Sequence, residues 1–168
     1  MKRFFLLMII LVIPFNALYG ENPMSDIKLL LKTAESDLSS YAAPWEILYP
    51  ESCKQLKKIG NESLETCINI LVDTEISDLD KNIFINILAF EADFEQYTDL
   101  LSLSTKMYLT GNLKFTVFEY LFENAYIKHI IKKQYKNKKI RNIVNVCLKE
   151  TLPEEESQFF RNLKKGEL

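Results

Sequence analysis

The chain has 168 residues, 48% of them hydrophobic and 26% charged, with a formal net charge of −2. That is enough for one domain of ordinary apolar content, which sets aside a disordered or fibrous protein. A mildly acidic balance also sets aside general nucleic-acid binding, which relies on a basic surface.

Lys2 and Arg3 precede an unbroken apolar run, Phe4 to Ile13, and Pro14 ends it. A more polar stretch then closes at Ala17-Leu18-Tyr19-Gly20. Charged start, short apolar middle and a small residue at the end are the order of a secretory signal peptide. The run of 10 residues falls short of a spanning helix, which needs about 20. The first cysteine is Cys53, so nothing near the cut suits a lipid anchor. Residues 1–20 are therefore expected to be a signal peptide. Residues 21–168 are expected to be an exported domain, periplasmic or extracellular, with a charge of −4 once Lys2 and Arg3 are gone.

After the leader only Gly60, Gly111 and Gly166 remain, too scattered for a phosphate-cradling loop. No proline occurs between Glu51 and Leu152. With long apolar periodicity, this predicts an all-α domain of about seven to nine helices. Ser25 is the expected cap of a first helix carrying Ile27, Leu30, Leu31, Ala34 and Leu38 and ending near Ser40. The connector 41–52 holds Trp45 and two prolines. Helices over 51–59 and 63–73, folded back at Gly60-Asn61, would bring Cys53 level with Cys67. A disulfide between them would close a loop of about 15 residues and contribute about 3 kcal/mol. Ser77 is expected to cap the next helix, with Asp78 and Asp80 in its first turn, where carboxylates suit the helix dipole. Its apolar stripe reads Leu79, Ile83, Phe84, Ile87 and Leu88.

Phe94, Tyr97, Leu100 and Leu101 start a helix reaching to Met107 or Leu109, and Gly111-Asn112 marks the following turn. Val117, Phe118, Leu121 and Phe122 form another stripe, then Ile127, Ile130 and Ile131. Ile140, Ile143, Val144 and Cys147 share one helical face, which predicts a buried thiol at Cys147. Thr151, Pro153 and Glu154 give the last helix a capping-box start before Phe159, Phe160 and Leu163. Residues 79–88 and 113–122 echo each other at an offset of 34 in Leu79/Leu113, Ile83/Val117, Phe84/Phe118 and Ile87/Leu121. That spacing suits stacked antiparallel helical hairpins, of a degenerate HEAT-like kind.

Catalytic sets do not assemble from these residues. His129 is the one histidine, on a lysine-rich helix, and there is no Cys-x-x-Cys pair, so metal sites and cofactors are not expected. Asp78, Asp80 and Asn82 fit the first ligands of a calcium loop, but Ile83 replaces its glycine and Ala89 its closing glutamate. Glu91, Asp93 and Glu95 cluster at a turn, where paired carboxylates would serve a cell-envelope hydrolase. The layout of charge is more informative. Residues 73–99 hold eight acids against Lys81, whereas 128–141 holds seven bases, including Lys132, Lys133 and Lys136, and no acid. If the helices stack in order, one end of the domain is acidic and the other basic, an arrangement that steers oppositely charged partners.

The reading is a non-enzymatic exported helical protein that binds another protein, such as an immunity or inhibitor protein blocking a toxin or cell-wall hydrolase. Glu91, Asp93, Glu95 and Asp99, or the acidic segment 73–80, would be the contact. Two alternatives are a carboxylate hydrolase of the cell envelope and a membrane-surface protein docking through 128–141. No stable membrane span is expected.

Overall fold

A computed structural model describes residues 23–39, 50–90, 94–123 and 138–165. These residues form eight α-helices and no strand: α1 (Pro23–Leu38), α2 (Glu51–Glu62), α3 (Leu64–Val72), α4 (Asp78–Ala89), α5 (Phe94–Leu109), α6 (Phe115–Glu123), α7 (Lys138–Cys147) and α8 (Glu154–Lys165). The all-α expectation holds. The leader, residues 41–49 of the Trp45 connector, His129 and the basic residues 128–137 lie outside the described residues.

Local chemistry explains most of the boundaries. Ser63 alone separates α2 from α3. Its N–H donates to the Ile59 carbonyl at 3.3 Å, closing α2, and its Oγ accepts from the Thr66 N–H at 3.1 Å, opening α3. Ser77 caps α4 as the sequence predicts, its Oγ accepting from the Asp80 N–H at 3.1 Å. Beyond Leu109 the chain closes in a Schellman turn. Gly111 has a positive φ of 75°, its N–H meets the Tyr108 carbonyl at 2.9 Å, and the Asn112 N–H meets Met107 at 2.8 Å. Two expected caps are displaced. Helix α1 starts at Pro23, which puts Ser25 inside its first turn. Helix α8 takes its first internal bond from the Ser157 N–H to the Pro153 carbonyl, 2.9 Å, leaving Thr151 upstream.

The helices enclose one hydrophobic core, whose largest fully buried side chains are Phe84, Phe118, Phe122 and Phe160. Helix α4 touches α1, α2 and α6, while α5 touches α3, α6 and α7, and α8 closes over α7. Tyr108 of α5 stacks on Phe118 of α6 with ring centroids 4.8 Å apart and planes 8° from parallel, and its hydroxyl donates to the Glu156 carboxylate on α8. Tyr97 ties α5 to α6 by donating to the Leu121 carbonyl at 2.9 Å. A Cβ on Gly60 would run into Leu88 Cδ2, so α2 and the Leu88 side chain of α4 pack closely here. Of the echoed pairs, Phe84/Phe118 and Ile87/Leu121 are buried, but Leu79 is 55% exposed where Leu113 is buried.

The Cys53–Cys67 disulfide is corrected by the structure, in which both thiols are free and buried. The reversal is at Ser63, not Gly60. Cys53 therefore lies ten residues before the pivot and Cys67 four after it, about 15 Å and 6 Å along their helices at 1.5 Å per residue. The two cannot come level. Cys67 Sγ instead donates to the Gly60 carbonyl at 3.3 Å, and Cys53 is buried beside Ser52, whose hydroxyl donates to Asp37 of α1 at 2.6 Å. Cys147 is buried with Ile140, Ile143 and Val144, as expected. Burial pushes the thiols of Cys67 and Cys147 up to about 12.

Candidate functional site

Two charged regions stand out, and both join segments far apart in the chain. The first lies where α5 meets α7. Helix α7 buries Ile140, Ile143, Val144 and Cys147, which leaves Lys138, Lys139 and Arg141 on its solvent side. Glu95 and Asp99 sit one turn apart at the start of α5. Lys139 Nζ lies 2.9 Å from Asp99 Oδ1 and 3.5 Å from Glu95 Oε1. The Asp99 hydrogen bond is the main cause holding the Lys139 ammonium above the usual lysine range. At this contact one base of the 128–141 segment meets two acids of the 73–99 segment. Glu95 and Asp99 are thus brought together, while Glu91, Asp93, Lys132, Lys133 and Lys136 fall outside the described residues.

The second region is the loop 73–77 with the first turn of α4. Its acids are held by lysines from elsewhere. Lys28 of α1 pairs with Asp73 at 3.0 Å and also with Glu75. Lys32 pairs with Asp80 at 2.8 Å. Lys114, just before α6, holds both oxygens of Asp78 at 3.2 and 3.3 Å. Asp80 is buried and accepts a second bond from Ser77 Oγ at 2.7 Å. Burial alone would push its carboxyl up, but Lys32 and Ser77 together hold it below the ordinary carboxylate range. Asp73 is held low in the same way, burial being outweighed by the Glu75 N–H at 2.7 Å and by Lys28. These carboxylates clamp α1 and α6 onto α4, so they are less available to a partner than their sequence suggests.

Lys81 is the residue that sequence reasoning missed. It is 3% exposed, yet among the described residues its ammonium makes no ion pair and no hydrogen bond. Burial pulls it below the usual lysine range, Asp78 and Asp73 attract it, and Lys114 repels it. The signal was present in the spacing. Residues 80 and 81 stand three or four places before Phe84 and continue the buried face of Phe84, Ile87 and Leu88 backward. The expected stripe held Phe84, Ile87 and Leu88 but ran back to Leu79 in place of Asp80 and Lys81.

The arrangement supplies ion pairs and exposed charge. The described residues hold no cluster of three metal-ligating side chains and no helix long and apolar enough to cross a membrane. No protein-family model, no curated protein and no solved structure matches the chain.

Proposed function

We propose that the chain is an exported, non-enzymatic helical protein that acts by binding another protein, with the α5–α7 face as its contact. The observation that carries this reading is the junction itself. Lys139 of the basic segment meets Glu95 and Asp99 of the acidic one, and all three side chains stay between 46% and 82% exposed. Exposed charges on a packed helical frame steer encounter and fix register with a partner more than they stabilise the fold. Export rests on the leader, from Lys2 to Gly20. We also read the alternating contacts, α2 with α4 and α4 with α6 against α3 with α5, as two layers of stacked, degenerate HEAT-like hairpins. Such a stack offers an elongated side to a partner, as an inhibitor of a toxin or cell-wall hydrolase would need.

The test is a binding measurement on the partner recovered from the chain's own cells. Asp99→Lys with Glu95→Lys should weaken binding at least tenfold, with an unchanged helical spectrum, and should weaken its salt dependence. Affinity within twofold of the parent protein would remove the α5–α7 face as the contact. A cell-wall substrate cleaved by the purified chain, with activity lost on Glu95→Gln, would favour the hydrolase instead.

A further inference from the structure

Helix α7 is amphipathic, and its two sides face different surroundings. Ile140, Ile143, Val144 and Cys147 are buried in the core. Lys138, Arg141, Asn142, Asn145 and Val146 are exposed, and so is Lys149 just beyond the helix. The Leu148 N–H donates to the Val144 carbonyl at 3.0 Å and the Lys149 N–H to the Val146 carbonyl at 3.1 Å, so the winding carries on to Lys149. At spacings of three and four residues these side chains line one ridge, about 16 Å from end to end at 1.5 Å per residue. Lys139 turns aside from it to Asp99 and Glu95. Lys138, Arg141 and Lys149 stay unpaired: among the described residues none of them makes an ion pair or a side-chain hydrogen bond. From Lys138 to Glu150 the sequence has four bases, and Glu150 is its one acid.

We propose that this ridge docks the chain on an anionic lipid surface. A basic cluster on an amphipathic helix suits acidic headgroups. The ridge has no aromatic side chain of the kind that anchors a protein partner in a pocket, and the residues between its bases are neutral. An array of headgroups needs no pocket, only unpaired cations in a row. The chain as a whole carries −2, so an anionic surface repels its other faces and selects this one. The same helix limits the contact. A membrane-surface helix sinks its apolar side toward the acyl chains, but α7 packs that side into the core and keeps only Val146 outside, 44% exposed. Docking is therefore electrostatic and reversed by salt. It goes beyond the protein contact proposed at the α5–α7 junction and uses other side chains.

The test is flotation of the purified chain with vesicles of phosphatidylglycerol and phosphatidylcholine in equal parts, and with phosphatidylcholine alone. The chain should float with the anionic vesicles only, and should leave them at about 1 M salt, where the screening length falls to about 3 Å. Each basic side chain near such a surface is worth about fivefold in affinity, so Lys138→Gln, Arg141→Gln and Lys149→Gln together should weaken binding about a hundredfold, with an unchanged helical spectrum. Glu95→Lys with Asp99→Lys should bind the vesicles as well as the parent or better. The same pair weakens the protein contact, so the two readings fail separately. No flotation with anionic vesicles, equal flotation with neutral ones, binding that survives the salt, or a triple variant that floats like the parent would each overturn the proposal. Polyglutamate bound where the vesicles are not would give the ridge to an acidic protein and overturn it as well.

Discussion

Lys139 on α7 reaches Asp99 at 2.9 Å and Glu95 at 3.5 Å on α5, so one ammonium joins segments 40 and 44 residues apart. All three side chains are well exposed, and exposed pairs of this kind add little to stability because water screens them and holding long side chains still is costly. Lys139→Ala should therefore leave the Tm within about 2 °C of the parent, measured by circular dichroism. A larger drop would give the contact a structural role in place of the recognition role argued above.

Asp80 is the opposite case. Its carboxylate is buried, and it accepts from Ser77 while pairing with Lys32 at 2.8 Å. Asp80→Asn keeps the shape and removes the charge, which should cost about 1–3 kcal/mol at neutral pH. The pH dependence follows from the depressed folded-state pKa of Asp80 and Asp73. Their contribution is fully present above the unfolded carboxylate value of about 3.9 and is lost as pH falls through the lower folded-state values. Urea unfolding from pH 6 downward should show stability falling as pH drops toward and below about 4, with a shallower fall in Asp80→Asn. Equal slopes for the two proteins would contradict this account of the clamp.

Ser104 offers a change in the other direction. It is 0% exposed on α5, and among the described residues its Oγ has no hydrogen-bond partner. A hydroxyl in that position is desolvated with nothing in return. Ser104→Ala should be neutral or stabilising by up to about 1 kcal/mol, read by chemical denaturation. A loss beyond that amount would mean the hydroxyl has a partner in solution.

The thiols carry a fourth expectation. Cys53, Cys67 and Cys147 are free and buried, and burial pushes all three above the usual thiol range. A thiol reagent should label none of the three in the native chain and all three after unfolding. A gain in mass on reduction of the native protein would restore the disulfide that the structure removes.

What the sequence made legible was local. Ser77 could be read as a cap, Gly111 as a turn and Cys147 as buried, because each follows from residues within one or two turns. The Cys53–Cys67 pairing failed on a local detail, since Gly60 looked like a hinge and is instead a helical residue packed against the Leu88 side chain. The charge clamps were not legible at all. Lys32 meets Asp80 across 48 residues and Lys114 meets Asp78 across 36, and only packing brings such pairs together. Leu79 illustrates the same limit: its polar neighbours Asp80 and Lys81 take the inward face, leaving the leucine outside, and Lys32 of α1, 48 residues away, pairs with Asp80 there.

The central claim, an exported chain that works in complex with a protein, is tested most directly by native mass spectrometry of the tagged chain recovered from its own cells. The account predicts a species beginning at or near Glu21 and bound to a second protein, which dissociates when Glu95 and Asp99 are reversed in charge. A chain that retains Met1 and flies alone would contradict it.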